Sequence, residues 1–121
     1  MKILSWNCAG GLRTKIDRAL ELDPDIALIQ EAHDPVHYAG RLTESSPSYW
    51  HLAPHTNKGI FVWARPGWNI EPHPEWTADS AFHQIVPLVV TSPGQAPISV
   101  WAVWTHGNAT CCSQSRASGA N

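Results

Sequence analysis

Ile3-Leu4-Ser5-Trp6-Asn7 and Ile26-Ala27-Leu28-Ile29-Gln30-Glu31 decide how this chain folds. Each is a short apolar run closed by a polar residue suited to holding a metal ion or a phosphate. Between them lies one amphipathic stretch. Leu12, Ile16 and Leu20 fall on one stripe with Ala19 beside it, while Arg13, Asp17, Arg18 and Glu21 face outward. Spacing of i, i+4, i+8 belongs to a surface helix laid on a sheet. Ala9-Gly10-Gly11 turns the chain before this helix. Asp23-Pro24-Asp25 ends it, because proline disfavours helical geometry in the residue before it. The second run is almost wholly apolar, as a strand covered on both faces should be. Strand, helix and strand in this order form a right-handed βαβ unit with parallel strands. Asn7 and Glu31 are then expected side by side at the carboxyl edge of the sheet, where open α/β sheets bind their ligands.

Beyond Glu44 the texture changes. Residues 49–53 and 59–64 read as strands joined through His55-Thr56-Asn57-Lys58, a hairpin pattern. Pro66-Gly67 turns the chain into a weaker strand over 68–71, and residues 72–81 read as an irregular loop. Residues 82–91 and 98–106 are the last two strands, separated by Ser92-Pro93-Gly94-Gln95-Ala96. A leading βαβ unit followed by an antiparallel meander indicates mixed-sheet α/β architecture. From Ala109 to Asn121 no large apolar residue and no periodicity remain. So abrupt a shift is expected of a disordered terminus, of a departure from the reading frame, or of a chain cut short.

The 121 residues make one domain with enough chain for a real core. With 43% hydrophobic and 15% charged residues, the composition is globular rather than disordered. A net charge of -2, with eight Lys and Arg scattered along the chain, leaves no strong basic patch for nucleic acid. Lys2 is followed by only three residues before Trp6 and Asn7, so no secretory apolar segment is expected, and nothing approaches a membrane span. Of three cysteines, Cys8 stands alone and Cys111 and Cys112 are adjacent, which is no disulfide framework. A cytoplasmic location is the expectation.

Ser5-Trp6-Asn7, then Pro24-Asp25-Ile26 leading to Ile29-Gln30-Glu31, then Val103-Trp104-Thr105-His106 occur in this order, each motif at a strand end. The set resembles the amino-terminal half of the endonuclease/exonuclease/phosphatase superfamily, the DNase I-like proteins. That resemblance implies part of a four-layer α/β sandwich. It also implies hydrolysis of phosphodiester or phosphomonoester bonds, as by a nuclease or phosphatase, with Mg²⁺ and with Mn²⁺ as its substitute. Glu31 matches the principal metal-ligating glutamate of the family. Asn7 matches the asparagine that orients phosphate and water near the metal, and His106 the histidine that contacts the scissile phosphate. The likeness covers residues 1–108, the expected domain portion, and leaves 109–121 as a tail. The family's later Asp-x-Asn motif and terminal Asp-His pair are not in the sequence. The implied protein is therefore a metal-dependent phosphoesterase with an incomplete site. The alternative is a non-catalytic half-domain that binds a protein partner, or a second copy, through an uncovered sheet.

The residue types suit that chemistry. Mg²⁺ takes oxygen ligands and keeps several waters, so one carboxylate such as Glu31 plus substrate oxygen holds it. Asn7 offers both donor and acceptor without charge, which fits positioning rather than proton transfer. A histidine near neutrality donates to a phosphate oxygen or a leaving group. Each has a plainer reading as well. Glu31 is equally a charge ending a strand, and Asn7 a cap on the turn before Gly10. His106 follows Ile98, Val100, Ala102 and Trp104 on one strand face, which also describes a core-edge histidine. His33/His37 and His51/His55 have zinc-helix spacing, but Pro35 and Pro54 interrupt them. The seven tryptophans alternate with apolar residues and read as core rather than as a stacking platform.

Overall fold

A computed structural model describes residues 1–54, 56–76 and 84–104. His106, Cys111, Cys112 and the 109–121 segment lie outside the described residues. The chain runs through β1 (Ile3–Asn7), α1 (Leu12–Glu21) and β2 (Ile26–Ala32), then two single-turn 3₁₀ helices at Pro35–His37 and Ala39–Arg41. It continues with β3 (Ser48–Leu52), β4 (Gly59–Ala64), β5 (Asn69–Pro72), β6 (Ile85–Thr91) and β7 (Ile98–Val103).

The βαβ unit forms as its periodicity dictates, with β1 parallel to β2 and Asn7 opposite Gln30. The later strands do not make one continuous meander. β4 joins this first sheet antiparallel to β2, and β3 lies outside β4, giving the order β1-β2-β4-β3. β5, β6 and β7 make a separate antiparallel sheet. The side-chain pattern explains this division. Gly-Ile-Phe-Val-Trp-Ala of β4 is buried at all six positions and β2 at six of seven, so both must lie inside a sheet covered on two faces. β6 instead alternates buried and half-buried residues, which suits a sheet packed chiefly on one side.

Two cores result. Leu12, Ile16 and Ala19 of α1 pack on Ala27, Ile29, Phe61 and Trp63, on the helix side of the first sheet. Leu12 and Ile16 are fully buried, each stabilising the fold by about 1.5–3 kcal/mol. On the other side Ile26, Leu28, Ile60 and Val62 meet Val86, Leu88, Val100 and Ala102 of the second sheet. The described residues thus form three layers: helix, sheet and sheet. Trp63 and Trp104 are buried, and Trp6, Trp50, Trp68 and Trp76 pack against the cores. Trp101 departs from that pattern. It is 63% exposed on the outer face of β7, next to Val103 at 42%.

Candidate active site

The site forms at the carboxyl ends of β1 and β2. Along β2, Ile29 lies opposite Phe61 but Ala32 lies opposite Gly59, so three steps on β2 match two on β4. This is a β-bulge, and Glu31 sits in it with φ 57°, in the left-handed region. Ile29 and Ala32 both remain on the helix side. In a strictly alternating strand Glu31 would point toward the helix. The bulge instead brings its carboxylate to Asn7, whose Nδ2 donates to Glu31 Oε2 at 2.6 Å. A non-glycine residue in this conformation costs roughly 1–2 kcal/mol, and such strain is characteristic of functional positions. Two backbone bonds hold it in place: Gly10 N–H donates to Glu31 O at 3.0 Å, and Cys8 N–H to Gln30 O at 3.1 Å.

Asn7 uses both ends of its amide. Its Oδ1 accepts from Ala9 N–H at 3.0 Å, capping the turn, while its amide nitrogen orients Glu31. The turn itself passes through three left-handed residues, Ala9 at φ 54°, Gly10 at 76° and Gly11 at 71°. Lys15 reaches back from the helix, its Nζ donating to Cys8 O at 2.7 Å and Gly10 O at 3.3 Å. A side chain at Gly10 would be crowded as well as strained, since its Cβ would lie 3.2 Å from the His33 ring. Cys8 is buried beneath this turn, and burial pushes its thiol upward, so it stays protonated and packs as a small apolar group.

The structure adds a residue that motif reading missed. Lys58, at the end of the β3–β4 turn, places Nζ 3.9 Å from Glu31 Oε1. The turn fixes its backbone. Lys58 N–H donates to the Thr56 hydroxyl at 3.2 Å, and that hydroxyl lies 3.0 Å from Ala53 O and 2.8 Å from Lys58 O. At the next residue, a Cβ on Gly59 would fall 1.9 Å from His51 O, so only glycine lets β3 and β4 close. The available signal was the Lys-Gly step between two strand patterns, but nothing local ties it to Glu31, 27 positions earlier.

The donors here suit a hydrated hard cation held by one carboxylate. Glu31 is 28% exposed, and its Oε1 meets only Lys58 among the described residues. No group of three or more His, Cys, Asp or Glu side chains is arranged for a metal among the described residues. Of the residues singled out from the sequence, Asn7 and Glu31 are in direct contact, and His106 lies outside the described residues. His51 lies in β3, edge-on to Trp76 at 5.6 Å between ring centroids, and His37 ends a single 3₁₀ turn. A cavity of about 280 Å³, lined by Met1, Asp25, Trp68, Ser92, Pro93 and Gln95, contains none of the site residues.

No protein-family model matches the chain, and no curated protein is similar to it in sequence. Solved structures are similar in fold. A truncated Caenorhabditis elegans TDP2 superposes with a TM-score of 0.62 at 15% identity, covering 98% of this chain and 56% of that one. The AP endonuclease LMAP from Leishmania major gives 0.60 at 15% identity, covering 95% of this chain and 43% of that one. The chain therefore spans about half the length of these neighbours. No described helix is long and apolar enough to cross a membrane. The βαβ unit, the two facing sheets and these superpositions together identify the fold as DNase I-like over about half of such a chain.

Proposed function

We propose that this chain is part of a divalent-metal-dependent hydrolase of phosphodiester or phosphomonoester bonds, acting on nucleic acid or a smaller phosphoester. The observation that supports this most directly is the Asn7–Glu31 pair, 2.6 Å apart at the carboxyl ends of two adjacent parallel strands in a DNase I-like fold. A backbone strained to present a carboxylate, with an amide spent on aiming it, is hard to account for by packing. One of the solved neighbours is an AP endonuclease, which fits the same class of chemistry.

In this reading Glu31 holds Mg²⁺, or Mn²⁺ in its place, through its open carboxylate oxygen. When bound, the ion neutralises phosphoryl oxygens and acidifies a water. Asn7 keeps the carboxylate aimed and retains a second amide hydrogen for a phosphate oxygen. His106 supplies a proton donor for the phosphate or the leaving oxygen. The sequence holds no Asp-x-Asn motif, so efficient hydrolysis requires water-orienting residues from outside these 121 positions.

Binding is therefore a better test than turnover. Thermal melting with Mg²⁺ or Mn²⁺ at 10–100 times the dissociation constant is expected to show about 1.4–2.7 kcal/mol of added stability. Glu31→Ala should abolish that gain. Metal-independent melting of both proteins would defeat the proposal. A second reading, a partner-binding half-domain, is favoured by one observation, the exposed Trp101 and Val103 on the outer face of β7. It gains ground if the metal response is missing and the protein self-associates as its concentration rises.

A further inference from the structure

Lys58 is bound more loosely than the other ion-paired side chains of the first sheet. Its Nζ stands 3.9 Å from Glu31 Oε1, beyond the roughly 2.7–2.9 Å of a charge-assisted hydrogen bond. The ammonium has three donors, and Glu31 is the one acidic group it meets among the described residues. Its end, in contrast, lies beside the Gly10 turn. The side chain is 33% exposed, and Cε and Nζ both lie 3.6 Å from where a Cβ on Gly10 would stand. Thr56 and Gly59 fix its backbone. The result is a positioned cation whose charge is only partly satisfied, facing a carboxylate already aimed by Asn7.

We infer that Lys58 is the phosphate-binding cation of this site: its ammonium serves as counter-ion to Glu31 until a divalent ion takes that carboxylate, and then holds a non-bridging oxygen of the phosphate. This rests on the metal-binding reading of Glu31 above. The physical reason is charge balance. A carboxylate with one negative charge cannot neutralise both a divalent ion and an ammonium about 4 Å away, so their mutual repulsion falls when an anion lies between them. A phosphate oxygen is the anion that the proposed reaction brings there. Lysine suits the role because it is a compact point charge with rotatable donors on a flexible stem.

Calorimetric titration of Mn²⁺, followed by inorganic phosphate into the Mn²⁺-loaded protein, tests this in the wild type and in Lys58→Met, Lys58→Arg and Glu31→Gln. Melting without metal confirms that each variant is folded. Lys58→Met should bind Mn²⁺ about two- to fivefold more tightly, because it loses a competing cation. The same variant should bind phosphate about tenfold more weakly. Lys58→Arg keeps the charge and should stay near wild type in both. If Glu31→Gln loses Mn²⁺ binding while Lys58→Met changes neither affinity, the inference about Lys58 is overturned and the metal-binding reading stands. Failure of the Mn²⁺-loaded wild type to bind phosphate overturns it in the same way. Undiminished Mn²⁺ binding by Glu31→Gln removes the reading on which both depend.

Discussion

The two ends of the first sheet carry similar charged groups in opposite states of satisfaction. At the amino end of β2, Arg65 Nε donates to Asp25, while its other nitrogens bond Asp23 Oδ1 and Asp23 O, both at 2.9 Å. Asp25 also accepts from Lys2 N–H at 2.6 Å, and Lys2 Nζ donates to Leu22 O at 2.8 Å. Every charged side chain in this cluster has a hydrogen-bonding partner, Arg65 and both aspartates being paired with one another, and it joins the start of β1, the end of α1 and the end of β4. At the carboxyl end, Glu31 has one short bond, from a neutral amide, and a cation at 3.9 Å. The saturated end fastens the sheet, and the unsaturated end has capacity left for a ligand. Carboxylates differ in role here by what remains unpaired, not by residue type.

The largest effect that would break this contrast is expected from Gly59→Ala. The added Cβ meets backbone, not a flexible side chain, so the hairpin must shift and Lys58 with it. A loss of about 3 kcal/mol or more, read by urea denaturation, should accompany loss of the metal response. Retention of both would mean that the hairpin does not build the site.

Arg65→Met should lower the melting temperature while leaving the Mn²⁺-induced shift intact, which separates the two ends. It also has a pH signature. Arg65 hydrogen bonds draw Asp23 below the ordinary carboxylate range, and Asp25 is lowered first by the Lys2 backbone N–H and then by Arg65. Folded-state values below the unfolded ones mean stability present above about pH 4 and lost as pH falls through the depressed values. Melting between pH 5 and 2 should therefore fall more steeply in the wild type than in Arg65→Met. Parallel curves would remove the fastening role.

The smallest effect should have the opposite sign. Glu31→Gly relieves the left-handed strain and is expected to stabilise the metal-free protein by about 1 kcal/mol while erasing the metal response. A destabilised Glu31→Gly would show that the carboxylate contributes more to folding than to ligand binding.

Much of this was legible in the sequence. The Leu12-Ile16-Leu20 stripe with Ala19 beside it, the apolar run from Ile26 and the Pro24 boundary yield the βαβ unit, because burial imprints a local period on the chain. Gly59–Ala64 was readable as a strand for the same reason. Its place was not readable, since a run buried on both faces does not name its neighbours, and β4 pairs with β2 across a long stretch of chain, as in Ile26 opposite Ala64. Trp101 shows the limit in reverse. Its alternation with Val100 and Ala102 marks a strand, and only the packing shows that it stands exposed.

The sequence by itself determined the α-helix and the strands, their order, and the placing of Asn7 and Glu31 at the ends of adjacent strands. Tertiary structure alone decided that Glu31 would turn toward Asn7, and that Lys58 would arrive beside it. The reason is geometric. Periodicity records which side of an element is buried, but a bulge exists only relative to the register of a partner strand. A single residue of mismatch between β2 and β4 moves a carboxylate from the helix side to the site.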